Sequence, residues 1–509
     1  MAAGLDPPFS EFPCVLAARF ERVAVPREVR VPAVGLKSIL LIHGYSVRSL
    51  NSWGQLPTLL GAEGYLSADI QLSAFVSLDD YVTCDDLAAA LEDRVVDLEA
   101  AGLDLRKTAI VVHSTGALVA RRWLLNRYQG SKKPMPRTFF SAAGANHGST
   151  LAQAGKTELA HVFREVTEKT SVGQLVLTDL DYGSQFLHRL NREWLDAWNA
   201  PGRELWKQTY CFSIGGTDHS FWENHLAWQS REPGSDGTVR VSAANLNYRF
   251  ITVDAPYTSF RTETLAQAAP HLVIDKYSHT SQSQYGPIGW GVGIVGDFIQ
   301  HGTGDQEPIS TSTLGILEGV ANRTERPFAA LLEAFDVADA DSFTKTASGW
   351  AKETAVWTET NINEAASTIV VTIADQRNSI VQDSLVVIGD STGSIGAASA
   401  SLIGNQIRNA VTPSIVSLYV NYAKFHPIHP HSIHVEAVTQ TEFIDDGVKI
   451  DAQISGQVDN AVQHVIEANE VTYVDVRANR SSKAALQFYG LDYPNFAKIV
   501  DQSYPPFPA

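Results

Sequence analysis

The chain has 509 residues, 44% of them hydrophobic and 19% charged, which is enough for two or three domains with at least one large core. Its net charge of -17 argues against nucleic acid as a partner, because phosphate binding requires clustered cations. Three widely spaced cysteines (Cys14, Cys84 and Cys211) indicate reduced thiols rather than a disulfide framework.

The sequence contains no recognisable membrane or export signal. Its N-terminal residues lack the basic region and the apolar stretch of a secretory signal. No apolar run approaches the ~18–20 residues that span a bilayer. We therefore expect a cytoplasmic protein, or one that contacts a membrane peripherally.

Strands and helices alternate over residues 1–305. A helix is predicted to begin at Asp85, and another follows Ser114. The predicted strands are Leu36–His43, Ala109–His113, Thr138–Ser141, Tyr210–Ile214, Tyr248–Val253 and Leu272–Asp275. Such alternation predicts an α/β fold with a doubly wound, mostly parallel sheet.

Residues 152–206 are too long for one crossover connection and predict a helical cap over the active face. They carry the aromatic residues Phe163, Phe186, Trp194, Trp198 and Trp206, and the following loop carries Phe221, Trp222 and Trp228. Buried aromatic residues usually form core. Because tryptophan also suits a boundary between water and lipid, Trp222 and Trp228 are our candidates for substrate contact.

The pattern changes near residues 302–305. One helical stretch, Leu314 to Phe335, is followed by alternating residues typical of strands. These are Thr368–Ile373, Ser384–Ile388, Ile415–Tyr422 and Ser432–Val438, with a predicted hairpin at Phe443–Val448. The sequence thus predicts an α/β domain over 1–305 and an antiparallel β-rich domain over 306–509.

The stretch Val112-His113-Ser114-Thr115-Gly116 joins a predicted strand to a predicted helix. A strand, a sharp turn and a helix form a nucleophile elbow, which exposes the serine hydroxyl near the free N–H groups of the helix. Ser114 is therefore the candidate nucleophile. The usual elbow has glycine two places before the serine, where this chain has Val112.

A serine nucleophile requires a base and an acid, and in this fold they follow in the order Ser, Asp, His. Asp236 lies in a turn-rich loop after the fourth strand of the series, with Asp218 as its rival. His279 follows the last strand and is the candidate base. His271 precedes that strand and belongs at its other end, whereas His219 and His225 precede the acid.

Two backbone N–H groups are needed to stabilise the oxyanion. The residue after the nucleophile, Thr115, supplies the first. The second is predicted from the loop after the first strand, His43-Gly44-Tyr45-Ser46, where Gly44 lets the backbone approach the substrate. Tyr45 is the preferred donor and Ser46 the alternative.

These motifs resemble the PlaB-type bacterial phospholipases A/lysophospholipases. That family has Thr-His-Ser-Thr-Gly, Ser-Asp-Gly-Val-Val-Arg and His-Ser-His where this chain has Val-His-Ser-Thr-Gly, Ser-Asp-Gly-Thr-Val-Arg and Tyr-Ser-His. The differing positions are Val112, Thr238 and Tyr277, and none of them removes a catalytic atom. The family likewise lacks glycine at the position of Val112.

The resemblance implies an α/β-hydrolase domain followed by a β domain, with Ser114 as nucleophile, Asp236 as acid and His279 as base. It also implies a bacterial protein that associates with membranes without a signal peptide and forms homo-oligomers. The expected reaction is hydrolysis of phospholipid or lysophospholipid esters through an acyl-enzyme, with no cofactor. The alternatives are an esterase or acyltransferase with a soluble substrate and a hydrolase-like binding module without activity.

A separate cluster contains His426, His429, His431 and His434. Imidazole is a common metal ligand, but Pro427 and Pro430 interrupt the cluster and no cysteine or carboxylate lies adjacent. A solvated turn is the preferred interpretation, and no metal site is predicted.

Overall fold

The structure is a computed structural model, and its described residues are 35–45, 53, 55–73, 79–130, 133–149, 152, 173–218, 233–254, 260–279, 314–315, 324–375, 384–389, 403–409, 411–412, 415–425, 432–438, 449–454 and 466–478. In these residues the strands are β1 (Ser38–Ile42), β2 (Ile70–Ser73), β3 (Thr108–His113), β4 (Thr138–Ala142), β5 (Tyr210–Gly216), β6 (Tyr248–Asp254), β7 (Phe260–Thr264), β8 (His271–Ile274), β9 (Tyr277–Ser278), β10 (Leu314–Gly315), β11 (Ala366–Asp375), β12 (Ser384–Gly389), β13 (Ile403–Arg408), β14 (Val416–Asn421), β15 (Ser432–Val438), β16 (Lys449–Ile454) and β17 (Val471–Ala478). Their helices are α1 (Leu56–Ala62), α2 (Cys84–Ala100), α3 (Gly116–Gln129), α4 (Gln174–Leu180), α5 (Gln185–Trp198), α6 (Leu205–Gln208), α7 (Val241–Ala244), α8 (Arg326–Phe335), α9 (Ala340–Thr360) and α10 (Tyr422–Phe425).

Six parallel strands form the first sheet, in the order β2-β1-β3-β4-β5-β8. Strands β1, β3 and β4 are buried throughout, which explains their continuous apolar sequences. Between them, α2 begins at a capping box in which the side chains of Thr83 and Asp86 bond each other's backbone N–H groups. The predicted doubly wound parallel sheet is confirmed.

Strand β6, predicted as part of this parallel sheet, belongs to the second sheet instead. It pairs in parallel with β17, from Tyr248 opposite Val471 to Asp254 opposite Arg477. The apolar pattern of β6 indicates a buried strand but carries no information about which strand lies beside it. In the parallel sheet β5 therefore pairs directly with β8, and the strands between them in the chain, β6 and β7, belong to the second sheet.

The second sheet has six strands in the order β13-β14-β11-β17-β6-β7. The predicted β-rich C-terminal region is confirmed, but this sheet is mixed, because β17 runs parallel to both β11 and β6. A third sheet, β12-β15-β16, is antiparallel. The predicted hairpin at Phe443–Val448 lies outside the described residues, between the paired strands β15 and β16.

Segments from before and after residue 305 pack together around both six-stranded sheets. Strands β6 and β7 precede residue 305 and join the second sheet, whereas α9 follows it and covers β8 at the edge of the first sheet. The hydroxyl of Thr354 in α9 accepts from the N–H of Val273 and donates to the carbonyl of His271. The division into domains at residue 305 stays a prediction. Among the described residues of the helix predicted from Leu314 to Phe335, β10 occupies the start and α8 the end.

The predicted cap contributes helices that pack in the interior. Phe186, Trp194 and Trp198 of α5 are buried. Trp194 lies against Phe139 of β4, so α5 serves as a crossover helix between β4 and β5. These aromatic residues are therefore core. Residues 153–172, with Phe163, lie outside the described residues.

None of the helices in the described ranges is both long and apolar enough to cross a bilayer.

Candidate active site

Ser114 occupies the turn between β3 and α3 with a strained backbone. Its φ is +54°, in the left-handed region that side chains other than glycine rarely adopt. Val112, by contrast, pairs in register with Ile42 and Ser141 inside the sheet. The strain therefore falls on the serine itself, and no glycine is needed two residues earlier.

The loop after β1 passes directly over this serine. A Cβ atom added to Gly44 would lie 2.6 Å from the Cβ of Ser114 and 3.1 Å from its Oγ, so only glycine fits here. The N–H of Gly44 donates to Nδ1 of His43 at 2.6 Å, which turns the loop. Tyr45 follows at once, so its backbone lies near the nucleophile.

Asp236 and His279 form a buried pair. Their side chains are joined by a hydrogen bond of 2.9 Å between Nδ1 of His279 and Oδ2 of Asp236, and the N–H of His279 donates to the carbonyl of Asp236 at 3.0 Å. Asp236 is 1% exposed and His279 5% exposed. The pair is thus connected through both side chains and backbone.

The second carboxylate oxygen of Asp236 is occupied by its own loop. Oδ1 accepts from the N–H groups of Thr238 at 3.0 Å and Val239 at 2.7 Å. These bonds form an Asx-type turn, which fixes the carboxylate before it meets the histidine. Asp236 therefore closes the turn with Oδ1 and bonds His279 with Oδ2.

The predicted alternatives fall elsewhere. Asp218 donates its backbone N–H to the carbonyl of Tyr277, whereas the carboxylate that contacts His279 belongs to Asp236. His271, at the start of β8, bonds the hydroxyl of Ser213 at 2.9 Å, and burial lowers its pKa to about 3. Ser46, His219, His225, Trp222 and Trp228 lie outside the described residues.

Both predicted oxyanion donors are buried residues. Thr115 precedes the first turn of α3, where backbone N–H groups have no partner within the helix. The phenol of Tyr45 has its pKa raised by burial and by the nearby Asp80, so the side chain stays neutral. The candidate oxyanion donor of Tyr45 is its backbone N–H and not its phenol.

His113 links β3, which leads into the candidate nucleophile, to the candidate base. Its Nε2 lies 3.0 Å from the carbonyl oxygen of His279, and the two rings are 4.6 Å apart between centroids. Since His113 directly precedes Ser114, the base residue and the serine lie on adjoining parts of the site. Sequence reasoning did not assign His113 a role, because nothing in the sequence indicates a partner 166 residues away.

The loop that carries Asp236 (residues 233–240, called the acid loop below) also contacts the second sheet. The guanidinium of Arg240 lies over the ring of Tyr182 at 4.6 Å and over the ring of Tyr419, in β14, at 4.0 Å. The hydroxyl of Tyr419 donates to the carbonyl of Pro233, at the start of the loop. Arg240 was visible in the motif around Asp236, but its aromatic partners are distant in sequence.

His426, His429 and His431 lie outside the described residues, as does the side chain of His434. Within the parts of the chain that the structure does describe, no group of three or more His, Cys, Asp or Glu side chains is arranged to hold a metal ion.

The parallel sheet, the strand–turn–helix at Ser114 and the loops at the carboxyl ends of β5 and β8 define an α/β-hydrolase fold. Among the solved structures that match the chain, two cover about nine tenths of it. The phospholipase PlaB from Legionella pneumophila has a TM-score of 0.72 and 21% identity over 91% of this chain and 97% of the other. The same enzyme in complex with thio-NAD has a TM-score of 0.72 and 20% identity over 90% and 97%.

At this level of identity the match shows a shared fold, including the C-terminal sheets. The fold expected from the PlaB-type resemblance is thereby confirmed over nearly the whole chain. No model of a protein family matches the sequence, and no curated protein does.

Proposed function

We propose that this protein is a serine hydrolase that cleaves carboxylic esters of phospholipids or lysophospholipids. The observation that carries the proposal is the buried hydrogen bond between His279 and Asp236, next to β3, the strand that leads into the strained Ser114. A base oriented by a carboxylate next to a serine at a helix N-terminus is the arrangement that activates a hydroxyl.

In this mechanism His279 removes the Ser114 hydroxyl proton while Oγ attacks the acyl carbonyl. The N–H groups of Thr115 and Tyr45 stabilise the oxyanion. Collapse breaks the ester C–O bond, and protonated His279 delivers its proton to the departing alcohol. A water molecule, deprotonated by His279, then attacks the acyl-enzyme and releases the fatty acid together with Ser114.

The proposed lipid substrate is argued from the shared fold. The phospholipase PlaB shares the fold over 97% of its length, including the sheets outside the α/β-hydrolase core. A membrane-derived substrate agrees with peripheral membrane contact, for which Trp222 and Trp228 are candidates. Self-association into a homo-oligomer is a further proposal from the resemblance, and light scattering on the purified chain tests it.

Ser114→Ala tests the chemistry. We expect turnover to fall by several orders of magnitude, because removing a triad serine leaves only the binding and oxyanion contributions. A fluorophosphonate probe is expected to label the unchanged enzyme and not the variant. Full activity or unchanged labelling in Ser114→Ala would contradict the proposal.

Substrate class is tested separately. Rates on micellar phospholipid and lysophospholipid are compared with rates on short p-nitrophenyl esters in solution. The proposal expects kcat/KM to be higher for the lipids. A strong preference for the short esters would indicate an esterase with a soluble substrate and leave the serine mechanism intact.

A further inference from the structure

Among the described residues, the side chain of His113 has one hydrogen-bond partner, and it belongs to the candidate base. The ring is 1% exposed, and its Nε2 lies 3.0 Å from the carbonyl oxygen of His279. A carbonyl only accepts hydrogen bonds, so the proton of His113 must be on Nε2. Its Nδ1 is buried and has no hydrogen-bond partner among the described residues.

The surroundings of His113 keep it neutral. Burial lowers its pKa well below the usual value, and the neighbouring rings of His279 and His43 lower it further. The centroid of His43 lies 5.0 Å away on the side that faces the loop after β1. His113 therefore donates one hydrogen bond from a fixed tautomer.

The backbone of His279 is consequently held from two sides. Its N–H donates to the carbonyl of Asp236, which ties it to the acid loop, and its carbonyl accepts from His113, which ties it to β3. The imidazole has a third connection, through Nδ1 to Asp236. Of these three contacts, only the bond from His113 connects His279 to β3, the strand that leads into Ser114.

We infer that His113 is a positioning residue: its Nε2–H fixes the backbone of His279 relative to Ser114, so that the base and the nucleophile stay in register during turnover. This inference deepens the proposed function and depends on it. Because the reacting atoms must be aligned closely, a small displacement of the base slows the chemical step more than it weakens substrate binding.

Two substitutions test the role. His113→Leu keeps most of the buried volume and removes the donor, whereas His113→Gln retains an amide N–H at a similar distance along the side chain. We expect kcat of His113→Leu to fall about 10–100-fold with KM nearly unchanged, and His113→Gln to recover most of the loss. The downfield proton resonance of the His279–Asp236 hydrogen bond should weaken in the leucine variant and return in the glutamine variant.

His271→Leu is the matched control, since His271 is also a buried neutral histidine with one side-chain partner. It should lower the unfolding temperature comparably while leaving kcat and the downfield resonance unchanged. The inference is wrong if His113→Leu keeps normal kcat, if glutamine restores nothing, or if His271→Leu reduces kcat equally. Failure of Ser114→Ala to abolish turnover would instead overturn the proposed function itself.

Discussion

The parallel sheet and the mixed sheet contribute differently to the same site. The loops of the parallel sheet carry every side chain proposed to react, at the carboxyl ends of β3, β5 and β8. The mixed sheet carries none of the proposed reacting groups, but it contacts the acid loop from behind. Chemistry and support thus come from separate sheets, although both sheets draw strands from the N-terminal half of the chain.

The contacts of the mixed sheet show how this support works. Besides the Arg240 and Tyr419 contacts, the hydroxyls of Ser242 and Thr368 lie 2.8 Å apart, which joins the helix after the acid loop to β11. Arg192 forms an ion pair with Asp475, and Nε2 of His188 lies 2.8 Å from Oδ1 of the same carboxylate, which connects α5 to β17. The α/β-hydrolase unit is therefore braced along one side by the second sheet.

The largest effect is expected from a change in the reacting unit. Asp236→Asn preserves shape but replaces the carboxylate that holds His279, which favours the wrong tautomer of the imidazole. We expect kcat to fall by roughly 10³–10⁴-fold, as when a triad aspartate is replaced by asparagine. Steady-state kinetics on the preferred ester measures it.

Asp218→Asn is the matched control for that change. Asp218 was the rival acid and lies in the same region, with its N–H bonded to Tyr277. Its kcat should stay close to that of the unchanged enzyme. A large loss in Asp218→Asn together with a small one in Asp236→Asn would reassign the acid.

The sequence predicts the pairing of Asp236 with His279 better than it predicts the contacts that support this pair, and the reason is physical. The elbow at Ser114 is a local feature, because a strand, a turn and a helix follow one another within a few residues. Chain order then restricts the acid and the base, since parallel strands end at one edge. Asp236 and His279 can therefore be selected without knowledge of distant contacts.

The supporting contacts depend on strand pairing that the sequence does not specify. The apolar pattern of β6 is the same whichever strand lies beside it. The sequence therefore predicts the wrong sheet for β6. The aromatic partners of Arg240 are likewise distant in sequence, since Tyr182 follows α4 and Tyr419 lies in β14. Trp222 and Trp228 lie outside the described residues and stay predictions.

A second change tests whether the mixed sheet supports the acid loop. Gly234 has φ +70°, and a Cβ there would collide with the carbonyl oxygen of Glu364 and lie 3.1 Å from the hydroxyl of Tyr419. Gly234→Ala should therefore cost about 3 kcal/mol of unfolding free energy from strain and collision together. Displacement of the loop should also lower kcat.

Gly202 offers the control, because it has φ +74° with nothing within 4 Å of the added Cβ. Gly202→Ala should cost only the backbone term, about 1 kcal/mol, with normal kcat. Urea unfolding and kinetics on both variants separate strain from collision. Equal losses of stability and unchanged kcat in both would contradict a supporting role for this contact.

The smallest effect concerns two partly buried carboxylates, one in the α/β-hydrolase unit and one next to the mixed sheet. Asp179 of α4 accepts from the N–H of Cys84, and burial is the main cause that raises its pKa from 3.8 to about 6. Since the folded pKa lies above the unfolded one, its contribution to stability is full below about pH 4 and is lost as pH rises through 6. Asp179→Asn removes the ionisation and retains an acceptor, so it should raise the free energy of unfolding at pH 8 by about 1–2 kcal/mol and change little at pH 4.

Glu470, next to β17, is the comparison, because burial also raises its pKa but Arg249 lies 2.6 Å from it. Glu470→Gln should lose stability at pH 8, since it deprives a largely buried guanidinium of its nearest carboxylate. Urea unfolding at both pH values measures the contrast. A gain in both variants would mean that the ion pair in the mixed sheet does not offset its burial, and a loss in both would mean that the bond to Cys84 outweighs the burial of Asp179.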